Sequence, residues 1–131
     1  MAITVFWDEV ELDIMRIEYE GEWSLADQES LSKRSAEMVG DEITRNDVIV
    51  HVHQHTHFPR YIAPKDLRHV LQGIPSNPGV RVFVGAPIIM QTVLDMFSGL
   101  IGGKMGVEIT TAKTVEVARQ IIREKRAQQK G

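Results

Sequence analysis

Residues 48–57 have the sequence VIVHVHQHTH, in which three β-branched residues lead into four histidines at alternate positions. A β-strand places successive side chains on opposite faces, so His51, His53, His55 and His57 are predicted to share one face of a strand that stays extended. The apolar residues that precede and separate the first histidines are typical of a buried strand. This stretch therefore predicts a central strand whose end carries histidines, with the rest of the chain packed around it.

The histidine face is a candidate metal site, because neutral imidazole is a good ligand for Zn²⁺ and Ni²⁺. Neighbours on one face of a strand lie about 7 Å apart, so two of them can chelate an ion but four in a row cannot all reach it. The competing explanation is a solvated strand end whose histidines bind nothing. We expect no cofactor, with Zn²⁺ or Ni²⁺ as the alternative; the candidate ligands are His51, His53, His55 and His57.

Length and composition favour one globular domain. The chain has 131 residues, 43% of them hydrophobic, so we expect a single domain over 1–131 with a polar C-terminal tail over 124–131. The net charge of −3 argues against a nucleic-acid partner, because phosphate contacts need a clustered basic surface. The absence of cysteine excludes disulfides and thiolate chemistry. With no apolar run of about 18 residues and no signal-like start, we expect a cytoplasmic protein without a membrane span.

Alternating apolar residues predict that the chain opens with a β-hairpin over residues 3–19. The second strand is expected to bury Met15 and Ile17. Its other face, which includes Arg16 and Glu18, is expected to be largely solvent-exposed, because charged side chains dominate it.

Helices and strands alternate after the hairpin. Ser24 and Asp27 have the spacing of a capping box, which predicts a helix over residues 25–39 that ends at Gly40. Beyond the histidine strand, the pattern predicts a short helix over 65–72, a buried strand over 80–84, an apolar helix over 88–100, a short strand over 107–110 and a final helix capped by Thr114.

This order predicts an α/β fold in which an N-terminal β-hairpin precedes alternating helices and strands, in a mixed, largely parallel sheet of about five strands covered by helices. Over nearly the whole chain the order resembles the STAS fold of bacterial anti-sigma-factor antagonists, in a divergent form. The matching segments are ITVFWD, IEYEGEW, VIVHVH, VRVFVGAP and ITTAKTVEVARQII. The resemblance implies a non-enzymatic regulatory module in signalling, which binds a protein partner or a small ligand near the loop after the central strand.

STAS domains that switch by phosphorylation carry a serine or similar hydroxyl at the start of the helix after the central strand. Here residues 57–64 are HFPRYIAP, with no serine or threonine, so we expect no such switch. The apolar side chains of residues 88–100 cover more of the helix than one sheet face buries. Either neighbouring elements bury this helix on two sides, or part of it forms a protein interface or the edge of an apolar ligand pocket. We expect a protein partner, and a homodimer is one form it could take. The predicted binding residues are Phe58, Arg60, Tyr61, Lys65, Met90 and Met96.

Residues 51–60, HVHQHTHFPR, superficially resemble the alternating histidines that precede Pro-Arg in histidine-triad nucleotide hydrolases. In that family the central histidine attacks a phosphate. Here Gln54 and Thr56 are polar where the family has apolar residues, and the histidines are one position out of register with Pro59. A nucleotide hydrolase is therefore an alternative to the non-enzymatic module, and no catalytic residue is assigned.

Overall fold

The computed structural model describes residues 3–41, 45–53, 56, 78–85 and 107–130. Within these ranges the chain forms a five-stranded sheet and two helices. The strands are β1 (Ile3–Trp7), β2 (Ile14–Tyr19), β3 (Asp47–Val52), β4 (Gly79–Val84) and β5 (Val107–Ala112), and the helices are α1 (Leu25–Val39) and α2 (Val115–Lys130).

The strands lie in the sheet in their sequence order, β1-β2-β3-β4-β5. β1 and β2 form the antiparallel hairpin, and each later strand pairs in parallel with the one before it. The predicted α/β fold with a mixed, largely parallel sheet is thus confirmed. β3 and β4 each pair with a strand on both sides, and buried side chains cover both of their faces. Their sequences, DVIVHV and GVRVFV, are accordingly rich in β-branched residues.

Two apolar clusters cover opposite faces of the sheet. On one face, Ile17 of β2 belongs to the same cluster as Leu31 of α1. On the other face, Ile49 of β3 packs with Ala118 and Ile122 of α2, and all three are 0% exposed. Burying an isoleucine side chain stabilises the fold by about 1.5–3 kcal/mol.

Both helices begin at the predicted caps. Ser24 Oγ accepts a hydrogen bond from Asp27 N at 3.2 Å, and Asp27 Oδ2 accepts one from Ser24 N at 2.9 Å, which confirms the capping box. α1 is followed by Gly40 at a φ of 61°, a positive value that glycine adopts without strain. Thr114 Oγ1 accepts from Val117 N at 3.1 Å, as predicted for the final helix. That helix continues to Lys130, so the polar residues 124–130 are helical.

The second face of β2 is buried, so the prediction of a largely solvent-exposed face is wrong. Ile14 is 0% exposed and Arg16 only 7%. α2 lies over this face, and its Arg119 donates to the same Asp8 carboxylate that accepts a hydrogen bond from Arg16. Charged residues on this face are therefore buried as ion pairs beneath a helix that follows about a hundred residues later in the sequence.

No helix in the described ranges is long and apolar enough to cross a membrane. The predicted helices over residues 65–72 and 88–100 lie outside these ranges.

Candidate metal centre

Three potential metal ligands meet where the parallel strands end at their carboxyl side. Glu18 of β2 and His51 of β3 are direct partners in the parallel pairing, so their side chains lie next to each other on one face. His53 follows β3 on the same face, and its backbone N–H donates to Tyr19 O at 2.9 Å. One ligand atom from each of the three residues lies within 4.8 Å of those of the other two.

A single carboxylate oxygen contacts both imidazoles. Glu18 Oε2 lies 2.9 Å from His51 Nδ1 and 3.1 Å from His53 Nε2. The two imidazole centroids are 4.0 Å apart. A tetrahedral zinc ion with bonds of about 2.1 Å separates two of its ligand atoms by about 3.4 Å. The three side chains therefore need only small rotations to surround an ion.

The ring nitrogen His51 Nδ1 is buried and makes no hydrogen bond in the part of the chain that the structure describes, although it lies close to the Glu18 carboxylate. Burial lowers the pKa of His51, and the neighbouring His53 and Arg16 lower it further, while Glu18 opposes the shift. The imidazole is therefore mainly neutral at pH 7, the state in which its nitrogen binds a metal ion.

The other oxygen of Glu18 belongs to a chain of ion pairs. Arg16 Nη2 donates to Glu18 Oε1, and Arg16 Nη1 donates to Asp8 Oδ1 at 2.9 Å. Asp8 also accepts hydrogen bonds from Arg119 Nε at 2.9 Å and Arg119 Nη2 at 2.8 Å. We call Glu18, Arg16, Asp8 and Arg119 the ion-pair chain. It connects the candidate metal centre to α2.

Asp8 stays ionised at the centre of this chain. Burial alone raises the pKa of its carboxyl group, but hydrogen bonds from Arg119, from the backbone N–H of Glu11 and from Arg16 outweigh that effect. They hold the pKa of Asp8 well below its usual range. Asp47, at the start of β3, has a lowered pKa for the same reason: burial raises it, and hydrogen bonds from Arg45, Val80 N and Arg126 outweigh the burial.

We expect the protein to lose stability as the pH falls below about 4, the pKa of an aspartate in an unfolded chain. Asp8 and Asp47 have lowered pKa values in the folded state, so the unfolded chain binds more protons in acid. The stability that they contribute is complete above the unfolded pKa and is lost as the pH falls toward the folded values. Urea unfolding at neutral pH and at about pH 3 measures the loss. Equal free energies of unfolding at the two pH values would contradict this expectation.

The structure brings together two of the four predicted histidines. β3 ends at Val52, and Thr56 N donates to His53 O at 3.0 Å. The other predicted residues lie outside the described ranges; they are His55, His57, Phe58, Arg60, Tyr61, Lys65, Met90 and Met96.

Glu18 is the residue of this centre that the sequence did not reveal. The alternation in β2 placed it on a charged face but said nothing about which strand would lie beside it. Glu18 and His53 are 35 positions apart, and only the parallel register of β2 with β3 makes them neighbours. The sequence signal that could have indicated Glu18 as a ligand is that it lies in a predicted strand of the same sheet as the histidine strand.

No protein-family model, curated protein or solved structure matches this chain. The STAS-like assignment therefore stays a prediction, and the candidate metal centre rests on its own geometry.

Proposed function

We propose that this protein binds a divalent transition-metal ion, Zn²⁺ or Ni²⁺, through Glu18, His51 and His53. The observation that carries the proposal is the position of Glu18 Oε2, which lies within hydrogen-bonding distance of a nitrogen from each imidazole. Two histidines and one glutamate form a ligand set that zinc enzymes use. Among the divalent first-row transition metals, Ni²⁺ and Zn²⁺ generally bind such nitrogen and oxygen ligands more tightly than Mn²⁺ or Fe²⁺ does.

Charge and solvent access also support a cation at this position. The Glu18 carboxylate lies between two imidazoles, of which His51 has a lowered pKa, so the cluster offers a negative oxygen and neutral nitrogen to an ion. The side chains of Glu18, His51 and His53 are 16%, 26% and 35% exposed, respectively. The cluster is therefore partly open to solvent, although the His51 Nδ1 atom itself is buried.

Isothermal titration of the purified chain, free of any histidine tag, with Zn²⁺ and Ni²⁺ tests the proposal. We expect stoichiometric binding by the wild type. His51→Ala, His53→Ala and Glu18→Gln should each weaken it by more than about 100-fold, because losing a ligand costs at least as much as losing one of its supporting contacts. Glu20→Gln is the matched control, since this exposed carboxylate lies two residues further along and outside the cluster.

Two results would contradict the proposal. Absence of binding by the folded wild type would refute a metal site altogether. Binding that survives Glu18→Gln but is lost when His55 and His57 are replaced would place the ion on the histidine segment and remove Glu18 from the centre.

We also propose, from the STAS-like order of its elements, that the chain acts in the cytoplasm as a non-enzymatic regulatory module that binds a protein partner. Its support is the sheet itself, a hairpin followed by strands added one after another in sequence order. Sedimentation equilibrium tests whether the partner is a second copy of the chain: a mass that rises with concentration supports a homodimer, and a constant monomer mass excludes one. No observation in the described ranges favours the nucleotide-hydrolase alternative.

A further inference from the structure

We propose that Arg16 is a positioning residue of the metal centre, which restricts Glu18 to binding the ion through Oε2 alone. The inference rests on the proposed metal binding. Arg16 Nη2 donates to Glu18 Oε1, whereas Oε2 faces the imidazoles of His51 and His53. The two oxygens of one carboxylate are thus divided between a guanidinium on one side and the metal ligands on the other.

Arg16 is itself held in place from several directions. Its side chain is only 9% exposed, and its Nη1 donates to Asp8 Oδ1 at 2.9 Å. The carbon of its guanidinium lies 5.3 Å from the centroid of the Phe6 ring, a cation–π contact. A guanidinium is a planar fork whose donors keep fixed relative directions, so an arginine fixed at Asp8 also fixes the direction of its bond to Glu18.

Asp8, the residue that anchors Arg16, does not depend on Arg16 for its own position. Its Oδ2 accepts a hydrogen bond from the backbone N–H of Glu11 at 2.8 Å, and both of its oxygens accept hydrogen bonds from Arg119. Removing Arg16 therefore leaves Asp8 paired and ionised. We expect an Arg16 variant to fold, which makes its metal affinity measurable.

Positioning and charge repulsion predict opposite effects of Arg16 on metal affinity. Arg16 places a positive charge beside the carboxylate that binds the ion, so by Coulomb's law alone its removal would tighten binding. Without Arg16, however, Glu18 is free to rotate and to offer both oxygens, and ordering the side chain when the ion binds costs conformational entropy. The change in affinity and the Co²⁺ spectrum together therefore distinguish the two effects, because only the loss of positioning changes how many oxygens of Glu18 bind the ion.

The experiment compares the wild type with Arg16→Gln and Arg16→Lys by isothermal titration with Zn²⁺ and by the absorption spectrum of the Co²⁺ complex. We expect Arg16→Gln to weaken Zn²⁺ binding about 10–100-fold, the range for residues that orient metal ligands. Arg16→Lys keeps the charge but cannot bridge Asp8 and Glu18 with a planar fork, so it should also bind more weakly. The Co²⁺ bands should change as Glu18 begins to bind through both oxygens, which raises the coordination number.

Arg123→Gln is the control, because Arg123 pairs with Glu11 on the surface and its side chain is 45% exposed; it should keep the wild-type affinity. If the wild type binds no metal, the proposed function fails and this inference fails with it. If the wild type binds and both Arg16 variants bind equally or more tightly with an unchanged Co²⁺ spectrum, the positioning role alone is overturned. If circular dichroism shows that Arg16→Gln does not fold, Arg16→Lys decides: weaker binding supports positioning, and wild-type affinity overturns it.

Discussion

Replacing Asp8 with alanine is expected to lower the free energy of unfolding by about 4 kcal/mol, within the range for removing one partner of a buried ion pair. The Asp8 side chain is 0% exposed, and the side chains of Arg16 and Arg119, which donate to it, are only 9% and 10% exposed. Alanine would leave two nearly buried guanidinium groups facing each other without the carboxylate between them. Each keeps one other acidic partner, Glu18 for Arg16 and Glu116 for Arg119, so the two charges stay partly compensated. The cost comes from the buried N–H donors that lose their acceptor and from the repulsion between the two guanidinium groups.

Urea unfolding of the wild type and the variant measures this loss. Asp13→Ala is the matched control, because Asp13 lies in the same β1–β2 connection and pairs with Arg126 of α2, but its side chain is 71% exposed. An exposed pair contributes about 0–1 kcal/mol, so the control should stay close to the wild type. If Asp8→Ala lowered the free energy of unfolding no more than Asp13→Ala does, the ion-pair chain would not stabilise the packing of α2 on the hairpin.

The parts of this fold that the sequence predicted are those whose signals lie within one element. The Ser24 and Asp27 side chains cap α1 through contacts three residues apart, and the β-branched run around Ile49 predicts a buried strand whatever lies beside it. Each of these features depends on residues that are close in the sequence. They could therefore be predicted before any tertiary contact was known.

The candidate metal centre could be predicted only in part, because its potential ligands come from two strands. The histidine alternation identified His51 and His53, but it gave equal weight to His55 and His57, since nothing local marked where the strand ends. Glu18 depends on the register of β2 with β3. The burial of Arg16 depends on α2, which the hydrophobic pattern of β2 alone could not indicate.

Zn²⁺ is expected to raise the free energy of unfolding by up to about 4 kcal/mol when its free concentration exceeds the dissociation constant about 1,000-fold, provided that only the folded chain binds it. Whether only the folded chain binds Zn²⁺ depends on which ligands survive unfolding. The unfolded chain still carries the segment HVHQHTH, whose histidines can bind a metal without any fold. Glu18 is 35 positions away from His53 and joins the histidines only in the native sheet. The preference of the ion for the folded state therefore depends on Glu18.

Urea unfolding with and without Zn²⁺, in the wild type and in Glu18→Gln, measures that preference. The wild type should gain stability with Zn²⁺, by less than the upper limit to the extent that the unfolded histidines compete for the ion. Glu18→Gln should lose most of the gain, because its folded and unfolded states then offer similar sets of imidazoles, while Glu20→Gln should keep it. If Zn²⁺ instead lowered the free energy of unfolding of the wild type, the ion would prefer the unfolded histidine segment. A native centre built on Glu18 would then bind the ion more weakly than the unfolded segment does, which contradicts the expected preference for the folded chain.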